Sequence, residues 1–211
     1  MTLIAVIDFE TTGLSPAMGS RATEIAIVLL ENGQVVDRFQ SLMNTGSHIP
    51  AFITSLTGIT NAMVAAAPPA DRVMRDASRF VGRAPMVAHN AAFDAKFWQA
   101  ELARADEPAT HAFACTLLVS RRLYPQAPNH RLGVLVDYHG LPRGGRAHRA
   151  LADAEMAAAL LGQIQHDLQR RHGIARADHG LLMKLQRCAK PKVAAWMTQH
   201  AGSLAEPLAA G

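Results

Sequence analysis

Apolar and polar positions divide the chain into strands first and helices later. Leu3–Phe9 is an apolar run interrupted only at Asp8, the pattern of a strand buried on both faces. Thr11-Thr12-Gly13 breaks it. Thr23–Leu30 is a second apolar run, and Asn32-Gly33 after it is a strong hairpin signal. Gln34–Leu42 reads as the returning strand, so the first ~45 residues form a three-stranded meander. Ile49-Pro50 and Pro68-Pro69 punctuate a loop-rich stretch with one short helix between them. Val73, Ala77, Phe80 and Val81 recur at helical spacing and predict a helix over 70–81. Pro85–Ala88 is a short buried strand, and Phe93–Ala105 is a helix with Phe93, Phe97 and Leu102 on one side. Shorter helices are expected over Thr116–Leu123 and Leu132–Tyr138. The longest, Ala147–Leu168, repeats Ala150, Ala154, Ala157, Leu161, Ile164 and Leu168 at three- and four-residue steps. This order predicts an α/β protein with a mixed central sheet flanked by helices. After Gly173 the pattern weakens, and Ser203–Gly211 is expected to be frayed.

Composition narrows the class. The 211 residues are 49 % hydrophobic, which fits one globular domain and excludes disorder throughout. The first apolar run is too short to span a bilayer and follows no charged leader. Neither a membrane helix nor a signal peptide is expected, and no membrane partner. Two cysteines, Cys115 and Cys188, cannot build a disulfide framework or a zinc finger, so a reduced cytoplasm is the expected compartment. Charge is uneven: residues 1–142 carry 11 basic and 12 acidic side chains, residues 143–211 carry 10 and 5. A basic back third suits an anionic partner such as nucleic acid, although a solvated surface has the same look.

Three short motifs carry candidate chemistry. In Asp8-Phe9-Glu10 the two acids share one strand face, ~7 Å apart. Side by side on a buried strand they repel unless a cation lies between them. His89-Asn90-Ala91-Ala92-Phe93-Asp94 follows a strand and opens a helix; Asn90 as N-cap and Asp94 in the first turn would be routine there. In His148-Arg149-Ala150-Leu151-Ala152-Asp153, the acid faces the apolar seam of the long helix and needs a partner. Each motif alone has an ordinary structural explanation. Together, four carboxylates without a Cys/His cluster describe a site for a hard cation, Mg²⁺ or Mn²⁺ rather than zinc. Two such cations ~3.5–4 Å apart are a standard arrangement for in-line attack on a phosphodiester. A neutral histidine nearby can take the proton of the attacking water.

Asp8-x-Glu10-Thr-Thr-Gly, His89-Asn90-x-x-Phe93-Asp94 and His148-x-x-x-x-Asp153 occur in the order and spacing of the DnaQ-like 3′–5′ exonucleases of the DEDD superfamily, which this chain resembles. The histidine five residues before the last Asp resembles the His (DEDDh) branch; the Tyr branch would have Tyr where this chain has Arg149. The likeness runs from about Leu3 to Asp167. Arg21-x-x-Glu24-Ile25, Leu56-Thr57-Gly58-Ile59-Thr60 and Cys115-Thr116-Leu117 are further landmarks.

The resemblance implies a ribonuclease-H-like fold, two Mg²⁺ (or Mn²⁺) ions, and release of nucleoside 5′-monophosphates from a 3′ end. It implies Asp8, Glu10, Asp94 and Asp153 as metal ligands, with Asp8 bridging, and His148 as general base. Thr11, Thr12, Leu14, Asn90 and Phe93 would meet the terminal nucleotide, Thr11 near its 3′-hydroxyl and Leu14 against its base. The proofreading subunits have His where this chain has Thr57, so that contact differs.

The boundaries expected are an exonuclease domain over 1–172 and a basic C-terminal extension over 173–211, helical and then disordered. Lys184, Arg187, Lys190 and Lys192, with Trp196, suit a phosphate backbone or a docked protein; a solvated helix would look the same. His166, His172 and His179 have no zinc spacing and are read as surface residues, and Cys115 as a core residue of the helix before Leu117. The leading substrate is a single-stranded DNA 3′ end, as in the proofreading and exodeoxyribonuclease X groups, and a DNA polymerase subunit is a candidate partner. The alternatives are an RNA-trimming enzyme similar to ribonuclease T or oligoribonuclease, and a polymerase accessory whose acids only bind metal.

Overall fold

The structure is a computed structural model and describes residues 3–145, 148–174 and 176–202. Five strands form one sheet in the order β3-β2-β1-β4-β5. β1 (Leu3–Thr11), β2 (Ala22–Glu31) and β3 (Gln34–Leu42) are the expected antiparallel meander. Asn32 and Gly33 both have positive φ, 52° and 81°, as a tight two-residue hairpin requires. β4 (Met86–Ala88) pairs parallel with β1, and β5 (Phe113–Cys115) pairs parallel with β4. The sequence pattern does not predict β5, because its three residues run directly into the helix that starts at Thr116 and read as part of that helix.

The single helix expected between the prolines is two, α1 (Ala51–Thr57) and α2 (Asn61–Ala65). Gly58 in the left-handed region ends the first, and the Thr60 hydroxyl caps the second by accepting from the Met63 N–H. α3 (Ala70–Val81), α5 (Thr116–Leu123) and α6 (Leu132–Tyr138) have the expected bounds, and α4 spans Ala92–Arg104. The N-cap of α4 is Ala91, with no side-chain cap; Asn90 is in the left-handed region (φ 68°) and does not cap the helix. α7 (Ala150–His172) begins after Arg149 and runs one turn past Leu168; Ala147, the expected start, lies outside the described residues.

The sheet has a core on each face. On β1, Ile4 and Val6 join Val28, Val87 and the α7 residues Ala154, Leu161 and Ile164. Ala5, Ile7 and Phe9 face the other way, onto α3 and α4, among Met74, Phe97 and Trp98. The segment after Gly173 packs on the first of these cores. Leu182 and Leu185 of α8 (His179–Leu185) and Met197 of α9 (Val193–His200) are buried there. Gln186 continues from α8 onto the sheet. Its Oε1 accepts from the Cys115 N–H (2.6 Å) and its Nε2 donates to the Phe113 carbonyl (3.3 Å), so one side-chain amide pairs with β5 as a strand would.

Several sequence readings need correction here. Cys115 is buried but ends β5 and forms the N-cap position of α5; it is not in a helix. His179 is half-buried, bonded through Nε2 to the Met86 carbonyl (3.0 Å), and burial lowers its pKa, so it is no free surface residue. His172 is also half-buried, while His166 is exposed as expected. Trp196 is half-buried against the α7-side core and stacks on His200, with ring centroids 3.9 Å apart. Ser203–Gly211 lie outside the described residues.

Candidate active site

Strand alternation aims the first two acids. Ile4, Val6, Asp8 and Glu10 have the same parity on β1, so Asp8 and Glu10 continue the face that packs on α7. Beyond Val6 that face meets the start of α7, where Asp153 lies in the first turn. Asp94 lies in the first turn of α4, just beyond β4, and its Oδ1 accepts from the Phe9 N–H at 3.2 Å. The carboxyl ends of β1 and β4 therefore open on one place, the usual position of a site in an α/β sheet. His148, at φ 59°, immediately precedes α7. A ring nitrogen of His148 and a carboxylate oxygen of each of Glu10 and Asp153 lie within 4.8 Å of one another.

The acids perturb one another. Burial, then the charges of Asp94, Asp153, Glu10 and Glu24, push the Asp8 carboxyl well above the usual range. Glu10 is pushed up to about 8 by burial and by Asp153 and Glu24, against a lowering pull from Arg149. Asp94 is raised to about 8, chiefly by burial. Burial also raises Asp153, while His148 opposes the rise. Buried carboxylates that repel fit a divalent cation held by oxygen ligands: its charge would compensate theirs.

Directly opposite Glu10 in the β1–β2 register is Glu24, fully buried. Its carboxylate accepts from Arg149 Nε (3.1 Å) and Nη2 (2.8 Å), from Gln40 Nε2 (2.7 Å) and from the Ala150 N–H (3.1 Å). The last contact satisfies a free amide at the start of α7, where Arg149 offers no side-chain cap. Glu24 is thus a distant cap that fixes α7, and with it His148 and Asp153, over β1. Sequence reasoning treated Glu24 only as a landmark and missed this pairing. The available signal was an acid near the start of an otherwise apolar buried strand.

The residues expected to meet a nucleotide are less uniform. The Thr11 hydroxyl is buried and donates to the Gly13 carbonyl (2.7 Å), and the Thr12 hydroxyl accepts from the Arg21 N–H (2.9 Å). Leu14 is exposed (83 %) and Phe93 is half-buried, its ring 4.9 Å from that of Phe97. Asn90 lines a cleft of about 960 Å³ together with His148 and Asp153. The left-handed backbone at Asn90 and His148 costs about 1–2 kcal/mol per residue, so the cleft holds strain at two of its lining positions. His89, on its wall, is pinned. Nε2 meets the His130 carbonyl (3.0 Å) and so carries the proton, leaving Nδ1 to accept from the Thr116 hydroxyl (2.9 Å). Burial lowers its pKa to about 4, so the ring stays neutral and ties β4 to the α5–α6 loop.

A mixed five-stranded sheet with acids converging from one strand and two helix starts is the architecture of the ribonuclease-H-like nucleases. A family model described as exonuclease, of the RNase T type, matches residues 5–161. The chain belongs to that exonuclease family. It is 36 % identical over 174 residues to a PolC-type DNA polymerase III of Listeria innocua, covering 82 % of this chain and 12 % of that one. It is 37 % identical over 166 residues to the 3′–5′ exonuclease DinG of Bacillus subtilis, covering 78 % and 18 %. The chain thus spans under a fifth of these relatives' length. Among solved structures, exonuclease X in complex with 5′ overhanging duplex DNA is 31 % identical, covering 77 % of this chain and 91 % of that chain, with a TM-score of 0.62. Exonuclease I of E. coli, in complex with a dT13 oligonucleotide, shares the fold at 18 % identity and a TM-score of 0.70, over 87 % and 46 %. Among the described residues, no helix is long and apolar enough to cross a membrane.

Proposed function

We propose that this chain hydrolyses the terminal phosphodiester at the 3′ end of single-stranded DNA and releases nucleoside 5′-monophosphates. The observation that carries the reading is the convergence of Asp8, Glu10, Asp94 and Asp153 beside one histidine at the edge of a cleft. Asp8, Glu10, Asp94 and Asp153 would hold two Mg²⁺ or Mn²⁺ ions. When bound, such ions neutralise the phosphate and stabilise charge on the attacking and leaving oxygens. His148, exposed at the cleft edge and next to Asp153, takes the proton from the attacking water. Water adds to the phosphorus of the last nucleotide, and the bond to the 3′-oxygen of the penultimate nucleotide breaks. Asn90 at the cleft wall, with Thr11, Thr12, Leu14 and Phe93, orients the terminal nucleotide. Likeness to part of a PolC-type polymerase and to exonuclease X bound to DNA favours DNA over RNA, and makes a DNA polymerase a candidate partner. The test is a time course on 5′-labelled single-stranded DNA and RNA, with Mg²⁺, Mn²⁺ or EDTA. A ladder shortening from the 3′ end, on DNA and only with metal, is expected. Internal cuts, or shortening in EDTA, would refute the reading; faster loss of RNA would reverse the polymer assignment.

A further inference from the structure

A second concavity shares one wall residue, Arg121, with the cleft. The 960 Å³ cleft runs from His148 and Asp153 past Arg131 and Arg143 to Arg121 on α5. Arg121 also forms one wall of a groove of about 680 Å³ between α5, the end of α7 and the C-terminal segment, where Arg122, Arg171 and Lys190 line the surface. Among the described residues, the one acid on the walls of the cleft is Asp153, and none lines the second groove. Arg143 is paired with Asp137 and Arg171 with Asp167. Arg122 donates to the backbone carbonyls of Cys188 (3.0 Å) and Leu118 (2.8 Å), which fastens α5 to the tail without neutralising its charge. Arg121, Arg131 and Lys190 are exposed and have no carboxylate partner among the described residues.

Uncompensated cations on two concavities that share Arg121, the first of them starting at a site for phosphodiester hydrolysis, match a polyanion with regularly repeated charge. We propose that the backbone of a single-stranded nucleic acid, its 3′ end at the acidic cluster, passes along these two grooves with Arg121 at their junction. Lys190 of the C-terminal segment then forms the far end of the substrate surface. The proposal rests on the function argued above and adds the route of the strand. It also separates the basic residues of the tail: Lys190 lies on the route, whereas Lys184 and Lys192 line neither groove.

The test compares wild type with the double variant Arg121→Ala/Lys190→Ala and with Lys184→Ala/Lys192→Ala. One readout is the ratio of kcat/KM for a ~12-mer to that for a dinucleotide, on DNA and on RNA. A second is the slope of log affinity against log salt, measured in EDTA so that the strand stays intact. The first variant should lower the ratio about five- to tenfold at low salt and flatten the slope by about 1.4. The second should leave the slope as in wild type. Equal slope changes in both double variants would overturn the route in favour of a diffuse basic tail. Hydrolysis with an unchanged ratio and slope in Arg121→Ala/Lys190→Ala would overturn the route alone. No hydrolysis of either oligonucleotide by wild type would overturn the function on which it rests.

Discussion

Asp94→Asn should stabilise the metal-free protein while abolishing hydrolysis. Asp94 is buried, and its carboxyl is pushed from near 3.8 to about 8. A group whose pKa is raised in the folded state contributes most when protonated, so its share of stability is present below pH ~4 and is lost as pH rises towards 8. A gap of that size corresponds to roughly 6 kcal/mol above pH 8 for an isolated group. Asp94 and Asp8 titrate as a pair, so part of the change belongs to Asp8 and about half that figure is expected from replacing Asp94 alone. Asparagine keeps an acceptor for the Phe9 N–H and carries no charge. For a domain of this size, 2–3 kcal/mol raises the melting temperature by about 5–10 °C. The assay is thermal unfolding of both proteins in EDTA at pH 5 and pH 8.5. The variant's advantage should be small at pH 5 and full at pH 8.5, and Mn²⁺ should stabilise wild type more than the variant. A variant that melts below wild type in EDTA at pH 8.5, or an advantage independent of pH, would refute the reasoning.

Three further outcomes follow from other parts of the molecule. His148→Ala should slow hydrolysis by about 10² to 10⁴ in single-turnover assays while metal binding is largely kept; a variant with the wild-type rate would clear His148 of the role. Glu24→Gln should cost about 1–3 kcal/mol in urea unfolding, because it weakens the charged hydrogen bonds to a partly exposed Arg149 and to the Ala150 N–H. Burial pushes Glu24 up, but the bonds from Arg149, Gln40 and the Ala150 N–H outweigh it and hold the carboxyl below its usual value. That contribution is present above pH ~4.5 and fades as pH falls, so the difference between Glu24→Gln and wild type should shrink in acid. Truncation after Gly173 should give a poorly soluble or unstable protein, since it uncovers the pocket of Leu182, Leu185 and Met197 and the β5 edge; a truncated form melting like the full chain would contradict the packing described.

Features with a local signature were legible in the sequence. The meander, the hairpin at Asn32-Gly33 and the five helices α3 to α7 follow from periodicity and turn chemistry. Asp8, Glu10 and Asp153 stand out in the sequence because acids at the end of a buried strand or on the seam of a helix contradict their surroundings; Asp94, an ordinary acid for a first helical turn, is picked out only through the resemblance. Features arising from distant pairing were not. Glu24 and Arg149 are 125 residues apart, and Gln186 is 71 residues from Cys115. Neither residue of such a pair is unusual until the fold brings them together. Asn90 misled for a related reason: asparagine suits both an N-cap and a left-handed turn, and the chain entering the cleft takes the second.

The amide of Gln186 has a meaning for assembly as well as for packing. β5 ends the sheet, and a terminal strand normally offers its free N–H and C=O groups to any extended chain that arrives. Here the vacancy at Cys115 and Phe113 is taken by a single residue that imitates one peptide unit and has no further strand behind it. The ladder therefore stops within the molecule. Exchanging Gln186 for an apolar residue of similar size would reopen that row, and the sheet would become a template for a second copy of itself.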